Sequence, residues 1–173
     1  MRLTIIPQYH GTSADETTSM LLTFPQPDGS DAQAFATTSI RLGRLPNDTT
    51  PAVIIQGSKG TMHLDTQAQC PKHTKVILDD GTVEEKTWPQ PGPGKGSGWY
   101  NGFLSHRNPE GEGQGMFWEA DEAARALIEG RKEGRHQGLD ESIAIMDVLD
   151  EVRKQGELQY PDRVETAEYP VNV

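Results

Sequence analysis

Only one cysteine, Cys70, stands in 173 residues, so no internal disulfide can form, which fits a reducing, cytoplasmic setting. Long apolar runs are also missing. None approaches the ~18 residues of a membrane helix, and no membrane partner is expected. The opening MRLTIIPQYH is broken by Pro7 and has no small-residue cleavage site, so it reads as a strand and not as a signal peptide. Positive charge is scarce: 16 Lys and Arg face 26 Asp and Glu, and no basic cluster stands apart. The resulting net charge of −10 argues against nucleic acid and against an anionic membrane surface. The same acidity serves solubility. No zinc-type ligand spacing occurs, so no metal is expected.

What remains is enough for one domain with a core and too little for two full ones. Residues 1–88 read as strands and turns. The expected strands are Leu3–Tyr9, Thr17–Phe24, Ala32–Leu42, Ala52–Gln56, Thr61–Leu64, Thr74–Leu78 and Thr82–Trp88. Between them lie Pro27-Asp28-Gly29, Pro46-Asn47-Asp48, Ser58-Lys59-Gly60 and Asp79-Asp80-Gly81, all turn chemistry. Asp80-Gly81 suits the positive φ of a type I′ hairpin. Short connections favour antiparallel pairing, because a parallel crossover needs a dozen residues or more. Met20-Leu21-Leu22 and Val53-Ile54-Ile55 do not alternate, as in strands covered on both faces. Two helices cannot supply all that cover, so a homodimer through the sheet face is expected.

Residues 89–115 are Gly- and Pro-rich, and the stretch from Trp88 to Trp118 holds six of the eleven aromatics, which argues against plain disorder. The last third is helical. Ala120, Ala123, Ala124, Leu127 and Ile128 keep one face, with Gly130 as the stop. A second helix is expected from an N-cap at Asp140, with Asp150 and Lys154 as an i, i+4 pair and Gly156 ending it. The fold class is therefore α+β: an open, mainly antiparallel β-sheet with helices packed on one face. The expected organisation is a single domain over 1–173, with sheet at 1–88, loop at 89–115, helices at 116–156 and tail at 157–173.

Three segments carry a resemblance. They are Ala14-Asp15-Glu16-Thr17-Thr18, Ile54-Ile55-Gln56-Gly57-Ser58-Lys59-Gly60-Thr61-Met62, and Gly115-Met116-Phe117-Trp118-Glu119-Ala120-Asp121-Glu122-Ala123-Ala124-Arg125. The third is extended by Leu139–Ile143 and Asp150–Gly156. Together they resemble the C-terminal domain of the Gfo/Idh/MocA oxidoreductases, in the branch of the dimeric dihydrodiol dehydrogenases. The resemblance implies the same α+β fold and pairing of subunits through the open sheet face. The family's nucleotide-binding fingerprint, G-x-G-x-x-G between a strand and a helix, does not occur. Gly92, Gly94, Gly96 and Gly98 alternate, and no register completes the spacing. Gly111, Gly113 and Gly115 precede a helix, as a phosphate cradle would, but Glu110, Glu112 and Glu119 would repel phosphate. The family's Glu-Lys-Pro motif is also missing; Glu85-Lys86-Thr87 matches two of its letters on a late strand. No cofactor is expected, and neither NAD nor NADP is expected to bind.

Other chemistry is sparser. His63-x-Asp65 places two side chains on one strand face, as an acid–base pair or as an ordinary hydrogen-bonded pair. His106, in the aromatic loop, is a proton-transfer candidate, or a solvated loop histidine. Glu119 is either a catalytic carboxylate or a favourable charge at a helix start. Trp99, Tyr100, Phe103, Phe117 and Trp118 are expected to wall a cavity for a small apolar organic molecule, or to plug bare surface. Two functions follow. One is a cofactor-independent enzyme steering a non-redox cyclisation, isomerisation or elimination, in a chain that runs from a methionine through a complete last helix. The other is a non-catalytic substrate-binding and dimerisation domain, or a truncated relative, of an NAD(P)-dependent oxidoreductase.

Overall fold

The computed structural model of the chain describes residues 3–43, 48–65, 68–101 and 109–168. Seven strands and two long helices follow the expected order: β1 (Leu3–Ile5), β2 (Thr17–Pro25), β3 (Asp31–Ser39), β4 (Val53–Gly57), β5 (Gly60–Leu64), β6 (His73–Leu78), β7 (Val83–Thr87), α1 (Phe117–Ile128) and α2 (Leu139–Gln155). A one-turn α3 (Asp162–Glu165) closes the described chain. The fold is α+β and all pairing among the named strands is antiparallel. The strands divide into two sheets, β1-β2-β3 and β4-β5-β6-β7. Two compact units result: Met1–Arg44 with His136–Val173, and Leu45–Arg135.

In the first unit, burial along β2–β3 decides the inner face. Thr4 and Thr18 are buried, and Met20, Leu22, Ala34 and Ala36 are half-buried on the same side, while Phe35 on the other side is 76% exposed. α2 packs on β1, and Val152 and Leu158 are buried there. Gly156 sits against Ile6, where a Cβ would run into the isoleucine side chain. That contact explains a glycine at the helix end.

The helix ends at Gly156, as expected. Gly156 is the C-cap, and the left-handed residue is Glu157 at φ 53°, with Leu158 N–H donating to Arg153 O and Glu157 N–H to Lys154 O. This is a Schellman turn made without glycine at its left-handed position. The start of α2 moves: Gly138 is the N-cap, and Glu141 reaches back to accept its N–H at 3.1 Å. Asp150 pairs with Arg153 at 3.4 Å, one residue short of the expected Lys154, and Arg153 also binds Glu165 at 2.6 Å.

Two hairpins share one turn design. In Pro27-Asp28-Gly29 and Asp79-Asp80-Gly81 the flanking residues close a three-residue loop, Gln26 N–H to Ser30 O at 2.8 Å and Leu78 N–H to Thr82 O at 2.9 Å. Only the glycine of each has positive φ, 84° in both. The second turn is therefore a type I turn with a glycine bulge, where a type I′ turn was expected. Asp28 and Asp80 each accept the N–H two residues on, Ser30 at 2.9 Å and Thr82 at 2.8 Å. That bond stabilises the bulged form, and the Ser30 and Thr82 hydroxyls, with the same N–H bonds adding to them, hold both carboxyls below their ordinary range.

In the second unit, β4–β7 is a four-stranded meander with two unlike faces. Val53, Ile55, Met62, Leu64, Val76 and Leu78 share one face by register; His63, Lys75 and Glu85 lie in a row on the other. Among the described residues no helix is long and apolar enough to cross a membrane.

Candidate functional site

The glycine-rich segment after β7 folds back on itself. Gly94 N–H donates to Gly111 O at 3.1 Å, Gly111 N–H to Trp99 O at 2.8 Å, and Gly113 N–H to Pro91 O at 2.6 Å. Gly98 N–H donates to the Glu110 carboxylate at 2.7 Å. Gly92, Gly111 and Gly113 are glycines because the two arms approach so closely. At Gly111, φ is 76° and an added Cβ would overlap Gly94 O; at Gly113, the Trp99 ring lies 2.9 Å from where a Cβ would stand. The segment is tied to the sheet by Lys72–Glu112 at 2.6 Å and by Gln90, whose amide donates to Pro71 O at 3.3 Å.

This geometry gives a hollow of about 630 Å³ walled by Pro89, Pro91, Pro93, Trp99, Phe117 and Trp118. Trp99 and Phe117 also line an adjoining hollow of about 340 Å³ with Asn101, Gln114 and Met116. Three of the five expected wall residues therefore come together. Their rings remain open, with Trp99 38% and Trp118 56% exposed, so they form a wall and not a packed core. Phe117 and Trp118 meet edge to face at 5.6 Å. Tyr100 is 54% exposed and lies outside both linings. Phe103 and His106 lie outside the described residues. Glu119 is exposed in the first turn of α1.

Beyond α1, Arg131 gathers Glu129 at 2.7 Å and Glu122 at 2.9 Å, and Arg135 reaches Glu129 at 2.8 Å. The Arg131 hydrogen bond holds the Glu129 carboxyl below its usual range. A Schellman turn at Gly130, with Arg131 N–H on Ala126 O at 2.8 Å, delivers the arginine to this cluster. Sequence reasoning found the glycine stop but not the cluster.

His63 and Asp65 stand on one face of the β5 end, as their spacing requires, and do not pair with each other. Asp65 accepts the Lys72 N–H at 3.0 Å instead. Their neighbours by register are His73, Lys75, Glu85 and Thr87, which sequence spacing within one strand could not reveal.

Two of the three glycine N–H groups of the expected phosphate cradle are already taken. The Gly111 and Gly113 N–H groups, which a phosphate would need, already bond Trp99 O and Pro91 O. Glu112 is engaged with Lys72, and Glu110 with Gly98, so both carboxylates are fixed beside the segment.

No protein-family model matches the chain, and no solved structure matches it. Curated proteins do. The chain is 36% identical over 160 residues to D-xylose 1-dehydrogenase (NADP(+)) of Hypocrea jecorina, covering 91% of this chain and 37% of that protein. It is 28% identical to the trans-1,2-dihydrobenzene-1,2-diol dehydrogenase of Homo sapiens and 29% to that of Sus scrofa, covering 92% of this chain each time and 40% and 41% of those proteins. The chain thus spans about two fifths of the length of the curated relatives it matches. These relatives are dehydrogenases, which overturns the expected non-redox cyclisation, isomerisation or elimination. Aromatic rings in a glycine-rich loop suited that chemistry, but they suit substrate binding in a redox enzyme equally well. The chain is similar, over nine tenths of its length, to part of sugar and diol dehydrogenases.

Proposed function

We propose that the chain is the C-terminal, sheet-bearing domain of a Gfo/Idh/MocA-type oxidoreductase, in which it binds substrate and joins subunits. The observation that carries this is the 36% identity to an NADP-dependent D-xylose dehydrogenase across 91% of the chain. On this reading the nicotinamide nucleotide is held by residues outside the segment, because two of the three glycine N–H groups are already taken and carboxylates are fixed beside them.

The aromatic hollow is the substrate wall. Xylose and trans-1,2-dihydrobenzene-1,2-diol share a small ring with adjacent hydroxyls. Such a ring offers C–H faces to Trp99 and Trp118, and an indole wall positions it by apolar contact without fixing one hydroxyl pattern. The substrate class is therefore a small cyclic alcohol with vicinal hydroxyls. Trp99→Ala is expected to weaken binding of such a ring at least tenfold while the melting temperature stays nearly unchanged. Equal losses of both would make Trp99 a packing residue and remove the hollow from the site. Calorimetric titration of the chain with NADP should give no heat; a micromolar dissociation constant would overturn the division of labour.

The second role is assembly. Ile55 on β4 is 53% exposed, on the face it shares with Val53, Met62 and Val76. A second copy of the chain laid against this apolar face would bury the ~1,200–2,000 Å² of a specific interface. Light scattering should report a dimer at tens of micromolar, and a monomer would count decisively against the pairing.

A further inference from the structure

The opposite face of β4–β7 carries a second cavity with a different chemistry. It is about 290 Å³ and is floored by two rows of side chains, His63, Lys75 and Glu85 in one and Asp65, His73 and Thr87 in the next. Each row crosses three strands, so its members stand a cross-strand spacing of about 4.5–5.5 Å apart. Both rows mix a charged donor or acceptor with groups that can do either: Lys75 and Glu85 beside His63, and Asp65 beside His73 and Thr87.

The charges cancel locally. Lys75 binds Glu85 at 2.8 Å, which holds the Glu85 carboxyl below its ordinary range, with His73 adding a smaller pull in the same direction. Asp65 is anchored by the Lys72 N–H at 3.0 Å, and Nδ1 of His73 meets the Thr87 hydroxyl at 3.1 Å. The Lys72 ammonium faces away to Glu112, and the Lys86 ammonium lies over the Trp88 ring at 3.6 Å. His63 is the exception: it is half-buried in the lining and has no hydrogen-bond partner among the described residues.

These features select a ligand class by elimination. No Phe, Tyr or Trp ring lines the cavity, so an apolar ring finds no stacking wall there. The paired Lys75 and Glu85 leave no uncompensated cation for an anion to seek. Among the described residues no cluster of three metal-type ligands exists. A neutral molecule with several hydroxyls meets every requirement, because each hydroxyl both donates and accepts and so can satisfy a lysine, a carboxylate or an imidazole in turn. The volume equals about ten waters of liquid, room for roughly ten non-hydrogen atoms.

We infer that this polar end of the β4–β7 sheet is a binding site for a small neutral polyol, distinct from the aromatic hollow, with His63 as its open hydrogen-bonding group. The probe is xylitol, titrated into the whole chain while the histidine ring resonances are followed by NMR. His63 and His73 should shift saturably with a dissociation constant of about 1 mM or tighter. His63→Ala should weaken this at least tenfold, and His63→Gln, which keeps a donor and an acceptor, should restore part of it. Three results would overturn the assignment: no saturable shift at about 100 mM xylitol, a shift with sodium acetate but none with xylitol, or xylitol shifts confined to the tryptophan indoles.

Discussion

The β4–β7 meander and the glycine segment that follows it are neighbours in one compact unit, yet different physics builds them. In the meander a repeat of two sets register and side-chain face, and neighbouring strands are tied by regular antiparallel backbone hydrogen bonds. In the glycine segment no period operates. Contacts such as Gly94 on Gly111 and Trp99 over Gly113 exist because no Cβ is in the way. Apart from Gly60, the sheet therefore tolerates changes of side chain, whereas the glycine segment is specified largely by side chains that are missing.

The sharpest break of that comparison is a pair of alanine substitutions. At Gly60, φ is 148° and an added Cβ would overlap Ile77 O on the neighbouring strand. Gly60→Ala is expected to cost about 3 kcal/mol or more, because a paired strand cannot move aside. Gly111→Ala meets an even closer atom, Gly94 O, but in a loop whose arm can shift, so about 1–3 kcal/mol is expected. Urea denaturation measures both. If Gly111→Ala costs as much as Gly60→Ala, the glycine segment is as rigid as the sheet and the contrast fails.

Next comes the tie between the two regions. Glu112→Gln breaks the Lys72 ion pair, whose side chains are 41% and 31% exposed, and is expected to cost only about 0.5–1 kcal/mol. Its larger effect should be on the hollow, with ring binding weakened by several-fold as the segment loses its anchor. Unchanged binding would show that the glycine contacts alone hold the wall.

A gain is expected where the geometry calls for glycine and another residue stands there. Glu157 has φ 53° at the end of α2. Glu157→Gly should stabilise by about 0.5–1 kcal/mol, seen as a higher urea midpoint with an unchanged slope. A loss would mean that the glutamate contributes more than its backbone strain costs.

The smallest effect is acid sensitivity. The Glu129 and Glu85 carboxyls lie below their ordinary range because Arg131 and Lys75 hydrogen-bond them. Their contribution is full above the ordinary carboxylate pKa and is lost as pH falls through the depressed folded value. Stability should be flat in this respect from neutral pH to about 5 and decline below it. Replacing Arg131 and Lys75 by Met should flatten the acid limb; an unchanged limb would show that other carboxylates govern it.

How far the sequence could be read follows the same division. All seven strands were legible because strand-forming residues bounded by turn residues mark them within a few residues, even where β2 and β4 do not alternate. Gly130 was legible as a stop because only a left-handed residue makes that turn cheaply. The type of the Asp79–Gly81 turn was not, since Asp-Gly serves both a type I′ turn and a glycine bulge, and only the strand register separates them. Gly156 was legible as the end of α2, but the reason for a glycine there was not: it is small to admit Ile6, a tertiary contact. The aromatic wall was half legible. Density of rings in the loop pointed to Trp99, Phe117 and Trp118, but nothing local showed that Tyr100 would turn away. The polar rows around His63 were legible only as His63 and Asp65, because the other members arrive from β6 and β7 through register. The reaction class was misread, since a binding wall does not by itself reveal what chemistry it serves.

The account stands or falls on whether this segment alone recognises substrate. The direct measurement follows the Trp99 and Trp118 indole N–H resonances while trans-1,2-dihydrobenzene-1,2-diol is added, with and without NADP. Saturable shifts at both indoles, with the same dissociation constant in each titration, are the expected result. No shift at either indole, or a shift that appears only when NADP is present, would contradict it.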